Sequence, residues 1–307
     1  MVKLDFDLER DVPELTGKVV LITGGTNGLG AATTQMLASR NPAKIYITGR
    51  NESAAQHVIA AIQSTGSKTE VIWLRCDHSD LTTVKKAAQE ISRESRLDIL
   101  MANAGVMALP PGLTKDGYEL HFGINHLAHA LLIRILLPLL QKTAKEHGEA
   151  RILPISSLAL VLAPRSHGIV FQDLKTTQAY WILGKWQRYA QSKLANLLYG
   201  RELARRYPEI LTLIVDPGPS NTRLVSSLGF LDKAIVYLGN INRFLDDDRG
   251  HWNQVWTVGV PKARAQQGEL YEPVGKLTDG YTHWCLDEQL TARLWDWTEE
   301  ELRPWLV

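Results

Sequence analysis

Cysteine is almost missing from this 307-residue chain, which has two, Cys76 and Cys285. They lie far apart and form no C-x-x-C, which excludes a disulfide-stapled scaffold; they read as reduced, packed thiols of a cytoplasmic protein. Net charge is nearly absent too, at +1, and no dense basic run is interleaved with aromatics. Nothing in the charge therefore favours nucleic acid or an anionic membrane as a partner. The nine histidines show no spacing suited to a metal. The N-terminus, MVKLDFDLERDVPEL, lacks the long apolar core of a signal peptide. The longest apolar run, 128–140, is broken by His129, Arg134 and Pro138, and reads as too short and too polar for a transmembrane segment. No internal repeat and no linker rich in Pro, Gly or Ser divides the chain, so a single domain is expected over 1–307.

What is there is an alternation. Short β-rich apolar runs at 19–23, 45–48, 70–75, 98–102, 151–155 and 211–215 predict strands. Helical patterns at 29–39, 53–63, 82–92, 118–141 and 189–206 fall between them. This order predicts an α/β fold: a Rossmann-type, doubly wound parallel sheet with helices on both faces. Residues 1–16 read as an N-terminal extension. Residues 158–186 and 219–265 break the alternation and are the places for substrate contacts or a lid.

The first strand runs into TGGTNGLG, residues 23–30. Glycines at 24, 28 and 30 allow a tight turn and close approach of backbone to a pyrophosphate. The helix that follows aims its free N–H groups and positive dipole end at the same place. Strand, glycines and helix come in the order a dinucleotide site requires, although the spacing is G-x-x-x-G-x-G. The cofactor contacts expected here are Thr23, Gly24, Thr26, Asn27, Gly28, Leu29 and Gly30. The second strand ends IYITGRN. An NAD reader would put a carboxylate there for the ribose 2′-OH. Thr48 and Gly49 occupy that place and Arg50 follows, a guanidinium able to clamp a 2′-phosphate. The expected cofactor is NADP(H), with Gly49 leaving room beside the ribose and Thr26 and Asn27 adding bonds to the phosphate.

In RYAQSKLANLLYG, Tyr189 and Lys193 are four residues apart on a helical pattern, so they share a face. An ammonium beside a phenol lowers the phenol's pKa and would make it a proton donor near neutral pH. One such pair is a weak motif, and it gains meaning only from the glycine loop.

Together these segments resemble the short-chain dehydrogenases/reductases, from about residue 17 to 274, and within them the retinol-dehydrogenase-like branch and its fungal relatives. The resemblance implies further roles. Asp77 in CDHSD matches the acid that bonds the adenine amine. Asn103 and Gly105 belong to the N-N-A-G motif, here with Ala102 at its first position. Asn125 in GINHLAH matches the structural Asn that holds a water linking Lys193 to solvent. Ser157 matches the serine that bonds the carbonyl oxygen, and fits that place better than Ser156. Tyr189 and Lys193 match Y-x-x-x-K. Tyr189 is thus the proton donor to a carbonyl reduced by hydride from the nicotinamide, and Lys193 the group that lowers its pKa and bonds the nicotinamide ribose. Pro217-Gly218 matches the P-G motif after the sixth strand, and Thr222 the residue that bonds the nicotinamide amide. The long stretch between Ser157 and Tyr189 resembles the insertion of the same branch. The implied activity is reversible reduction of a ketone or aldehyde of a lipophilic small molecule. A non-redox enzyme of the same fold and a cofactor-sensing regulator are the alternatives. Family members often form a homodimer or homotetramer. Candidate pocket walls are Met107, Leu109, Trp181, Trp186, Phe230 and Tyr237. The tryptophans at 284, 295, 297 and 305 read as packing of a C-terminal helix.

Overall fold

Val19–Thr23 (β1) is buried at every position, as an all-apolar run between two helical layers must be. The computed structural model describes residues 5–181, 183–219, 225, 229, 232–233, 237, 245 and 249–306. Parallel to β1 lie Lys44–Gly49 (β2) on one side and Ile99–Ala102 (β4) on the other. Glu70–Arg75 (β3), Arg151–Pro154 (β5) and Leu211–Thr212 (β6) complete a six-stranded sheet of order β3-β2-β1-β4-β5-β6, parallel throughout. The order reverses between β1 and β4. The space beyond the strands' carboxyl ends at such a reversal is where sheets of this kind bind ligands.

The expected sixth strand, 211–215, is split. Leu213 donates its N–H to Ile152, whereas Ile214 donates to Glu269, so the chain changes pairing partner within two residues. Ile214–Val215 (β7) joins Leu270–Glu272 (β8) and Lys276–Leu277 (β9) in a second small sheet. A bridge from Ile155 to Val215 ties it to β5.

Helices cover both faces. Gly28–Ala38 (α2), Glu52–Ser64 (α3) and the helix Trp252–Gly259 pack one core. Leu81–Ile91 (α4), Ala128–His147 (α6), Gly184–Arg206 (α7) and the C-terminal helix Glu288–Leu302 pack the other. From residue 8 onward the N-terminal extension is tied into the fold. The turn Leu8–Asp11 (α1) is followed by Val12 and Leu15, which are buried in the first of these cores. A Cβ on Gly259 would lie 2.1 Å from the Asp11 carbonyl oxygen. The C-terminal tryptophans pack as expected: Trp295 stacks on Tyr199 with centroids 4.9 Å apart, and Trp297 lies edge-on to Phe122. Both cysteines are free and buried, and burial pushes the Cys76 thiol up to about 12.

The helix expected at 118–141 is longer and interrupted. Leu120–Phe122 (α5) passes through a π turn, Gly123–Leu127, into α6. The run Leu120–His147 is long and apolar enough to cross a membrane by length and composition, yet 83% of its apolar window is buried inside the protein. It is a core helix.

Candidate active site

The glycine loop lies where β1 meets α2. Gly24 and Gly28 adopt left-handed backbone, at φ +67° and +54°. A Cβ on Gly30 would sit 2.4 Å from the Gly24 carbonyl oxygen and 2.5 Å from Asn103 Nδ2. Glycine is therefore required for the loop to lie against the end of β4. Thr23 Oγ1 accepts the N–H groups of Asn103 and Ala104 at 2.8 and 2.9 Å, and Asn103 Nδ2 donates to the Thr23 carbonyl at 2.7 Å. Asn103 Oδ1 accepts from Gln254 Nε2 at 2.8 Å, and Gln254 Oε1 accepts from Thr33 at 2.9 Å. Asn103 thus bolts the two strand ends and α2 together. Asn27 caps α2, its Oδ1 accepting from Gly28 N–H at 2.9 Å. The N-terminus of that helix faces solvent, with Asn27 and Gly28 exposed and Thr26 and Leu29 half-buried. A cradle lined by backbone, which one added methyl group would fill, fits a dinucleotide's pyrophosphate.

At the end of β2, Arg50 is exposed and makes no hydrogen bond or ion pair with the described residues. The room expected at Gly49 is taken. A Cβ there would lie 2.5 Å from Thr26 Oγ1 and 2.8 Å from its Cγ2, so Thr26, one of the expected phosphate contacts, is also what keeps position 49 a glycine. Asp77 Oδ1 accepts from the Ser79 N–H and hydroxyl at 2.9 and 2.8 Å. Asp80 caps α4, its side chain accepting from Thr82 N–H.

Tyr189 and Lys193 lie on α7, with Lys193 Nζ 5.7 Å from the phenol ring centroid. Nζ donates to the Ile155 carbonyl at 3.0 Å, and Asn196 Nδ2 donates to the same oxygen at 3.0 Å. Ser156 is buried and donates to the Lys193 carbonyl at 2.7 Å. Ser157 is the serine beside the phenol: it caps the 3-10 turn Leu158–Leu162 and its hydroxyl is near enough to the Tyr189 hydroxyl to lower the phenol's pKa. Asn125 sits in the π turn, which turns its amide toward the loop after β4. Its Oδ1 accepts from Val106 N–H at 2.8 Å, and its Nδ2 reaches Val106 O and Ser192 Oγ at 3.0 and 2.9 Å. Gly105 closes the ring, since a Cβ there would lie 3.2 Å from Asn125 Oδ1 and 3.7 Å from Lys193 Nζ. Pro217-Gly218 follows β7, with Gly218 at φ +77° and its N–H donated to Asp216 Oδ1 at 3.2 Å.

The electrostatics differ from the expectation for the tyrosine. Burial raises the Tyr189 phenol well above its ordinary value, the neighbouring Ser157 hydroxyl opposes this, and the buried Asp216 carboxylate adds to the rise. Burial is also the larger influence on Lys193, lowering it to about 8 against the pull of Asp216. Desolvation disfavours each charged form and outweighs the ammonium's effect on its neighbour. The phenol therefore keeps its proton at neutral pH, the state a proton donor needs.

The model of the short chain dehydrogenase family matches residues 18–171. The chain is 36% identical over 304 residues to an uncharacterized oxidoreductase of Schizosaccharomyces pombe, covering 95% of this chain and 86% of that one. The chain belongs to the short-chain dehydrogenase/reductase family. Its similarity to human retinol dehydrogenase 11, 37% identical over 221 residues and covering 71% of this chain and 66% of the relative, places this reductase-family protein in the retinol-dehydrogenase-like branch. Among solved structures, NADPH-bound carbonyl reductase from chicken fatty liver is similar at TM-score 0.64 and 22% identity, over 88% of this chain and 97% of that one. At that identity the likeness is one of fold.

In this family member Gly105, Asn125, Ser157, Tyr189 and Lys193 lie together, Thr23, Gly24, Gly30 and Asn103 meet at the strand ends, and Arg50 and Asp77 follow β2 and β3. Thr222 and the pocket candidate Phe230 lie outside the described residues. Of the other pocket candidates, Met107 and Leu109 are half-buried beside the site. Trp181 is 99% exposed and is no pocket wall as placed. Trp186 is buried and tied by its Nε1 to Asp232 at 3.2 Å, with its ring 6.5 Å from that of Tyr189. Tyr237 is partly exposed. Sequence reasoning missed His129, whose Nδ1 meets the Asn125 carbonyl at 2.8 Å and whose Nε2 meets Thr23 Oγ1 at 2.8 Å. It links the two halves of the site, and its spacing of four from Asn125 was the available signal. Asp216, Gln254 and the buried charges Glu119 and Arg188 were missed as well. Nothing in their local sequence separates them from surface polar residues.

Proposed function

We propose that the protein reduces a ketone or aldehyde of a lipophilic small molecule using NADPH, and catalyses the reverse alcohol oxidation. The observation that carries the reading is the pairing of a protonated, desolvated Tyr189 phenol with the Ser157 hydroxyl, next to Lys193 and Gly105 at the strand ends where the sheet order reverses. Two hydroxyl groups converging on one point suit a carbonyl oxygen that gains negative charge and then a proton. Ser157 would bond that oxygen and Tyr189 would protonate it. Lys193 would steady the resulting charge through space, since its ammonium is retained at neutral pH. The glycine loop at residues 23–30, Asn103, Gly105 and Pro217-Gly218 would hold the cofactor, which supplies a hydride when bound. Arg50, with no competing partner among the described residues, and the lack of a carboxylate at Thr48 and Gly49 support NADP(H) over NAD(H). A lipophilic substrate is supported by half-buried Met107 and Leu109 and by the name of one relative, retinol dehydrogenase 11.

The test is loss of NADPH absorbance with a panel of ketones and aldehydes of increasing chain length, repeated with Tyr189→Phe. Turnover that needs the phenol hydroxyl supports the reading. An NADPH-bound protein that consumes no cofactor with any member of the panel would move it to the non-redox enzymes of this fold.

A further inference from the structure

Arg188 precedes the tyrosine and is 1% exposed. A guanidinium is always charged, so one that is buried has to be paired and hydrogen-bonded. Its fork spans two segments: Nη1 donates to the Gln178 carbonyl and Nη2 to the Leu109 carbonyl, each at 2.8 Å. Its Nε faces Glu119 Oε1 at 3.3 Å, as an ion pair off the hydrogen-bond axis. Glu119 is also 1% exposed. Its Oε1 meets His121 Nδ1 at 2.8 Å, and its Oε2 accepts the Phe122 N–H at 2.8 Å. The fully buried His121 then accepts the Leu109 N–H on Nε2 at 3.1 Å. With Nε2 accepting, it is Nδ1 that points its N–H toward the carboxylate.

Both backbone groups of one loop residue, Leu109, are therefore captured, the carbonyl by Arg188 and the N–H by His121. Glu119 joins the two captors. The segments so held are strained. Ala108 and Gln178 have φ of +54° and +44°, a conformation that residues other than glycine keep only where the surroundings over-determine it. Gln191, three residues beyond Arg188, supports the second segment by donating to Gln178 Oε1 and accepting from Val170 N–H, each at 2.9 Å. The near end of the Leu109 loop is Gly105, packed against Asn125 and Lys193.

We infer that Glu119, His121 and Arg188 form a buried latch that clamps the loop after β4 and the Gln178 segment onto the catalytic helix. They are positioning residues: through Leu109 they set the wall against which the non-reacting part of the substrate lies, while proton transfer belongs to Tyr189. The part about substrate rests on the proposed reductase reading; the clamp itself does not.

Two measurements on the full chain separate these. In amide hydrogen exchange, Leu109 should be protected in the wild type and should exchange at least about 10-fold faster in His121→Phe, with the strands of the main sheet unaffected. A Leu109 amide that exchanges in the wild type like an exposed loop amide overturns the latch. In steady-state assays with NADPH, propanal and dodecanal are compared in wild type, Arg188→Met and Arg188→Lys. The KM for dodecanal should rise at least about 10-fold, because a wall displaced by about an ångström misplaces a long chain. Its kcat and the kcat/KM for propanal should each change less than about threefold, and Arg188→Lys, which keeps the charge without the fork, should not restore the dodecanal KM. An equal loss for both aldehydes overturns the positioning role and leaves Arg188 as general scaffold. Wild type inactive on both aldehydes counts against the reductase reading, and the exchange result then decides the latch by itself. If Arg188→Met fails to fold, Arg188→Lys and His121→Phe carry the same comparisons.

Discussion

Replacing Lys193 with methionine should leave the protein nearly inactive and more stable. The side chain is buried, and burial moves its ammonium from 10.5 down to about 8. At about 1.36 kcal/mol per pKa unit, keeping that charge in the folded protein costs about 3 kcal/mol at pH 7. Methionine of similar length removes the cost. The Ile155 carbonyl is not orphaned, because Asn196 Nδ2 still donates to it at 3.0 Å. Buried Asp216 loses a neighbouring cation, which returns part of the gain and leaves a net stabilisation of about 1–2 kcal/mol, the scale on which an unbalanced buried group acts. In a chain of this size that is a rise in Tm of about 2–6 °C. The sign with pH follows from the lowered folded value. Below about 8 the lysine is protonated both folded and unfolded and the full cost is present, whereas above 10.5 it is neutral in both and the cost is gone. The difference between variant and wild type should therefore be largest at pH 7 and fade between pH 8 and 10.5. Thermal scans of both proteins at pH 7, 8, 9 and 10 measure it. A variant less stable than wild type at pH 7, or a gain that stays constant across the series, would refute the reasoning.

Three further outcomes are expected. Tyr189→Phe should lower turnover by at least about 10²-fold, the scale of a general-acid contribution, while the Kd for NADPH from fluorescence titration stays within about twofold; near-normal turnover would remove the phenol from the mechanism. Arg50→Ala should lose most of a preference for NADPH over NADH of about 30- to 150-fold, equivalent to about 2–3 kcal/mol from two screened charge-assisted bonds, and kcat/KM for both cofactors, with and without added salt, decides it. A Gly49→Asp exchange is a poor companion test, because its Cβ meets Thr26. Acid should destabilise the fold early: His78 and His126 are buried and held down to about 4 and about 3 from 6.5. The unfolded chain binds protons that the folded one refuses, so stability is lost as pH falls below 6.5 toward 4, and urea midpoints at pH 7, 6, 5 and 4 should fall steadily, with His78→Asn flattening the slope.

Strands built from one unbroken apolar run were legible in the sequence. β1 begins and ends where its residues say, because a strand buried on both faces leaves no choice of face or length, and the edge strand β3, half-buried between exposed Glu70 and Arg75, keeps the bounds its apolar centre predicts. Strand 211–215 was not, since its division depends on a partner, Glu269, far along the chain. The glycine loop and the Tyr189–Lys193 spacing were legible because backbone approach and helical pitch are local properties. The height of the tyrosine's pKa was misjudged because adjacency in sequence shows the ammonium and hides the desolvation. Arg188 and Glu119 look like surface charges in any window around them; only the fold brings them within 3.3 Å of each other. Trp181 looks like a lining residue because it is large and apolar, although the chain turns it to solvent.

The π turn at Gly123–Leu127 makes this helix sensitive to phase. A turn closed by i→i+5 bonds holds one residue more than an α-helical turn, so the pieces before and after it are offset by about 100° of rotation. If 123–127 became ordinary α-helical turns with every residue kept, the hydrogen-bond geometry would improve. The change would also rotate everything upstream relative to everything downstream. Asn125 would swing away from Val106, and Glu119 and His121 would turn out of reach of Arg188 and Leu109. Here a change of hydrogen-bond register at constant length acts as a change of angle, and a segment can become more regular while both the proton-handling end and the clamped loop come apart together.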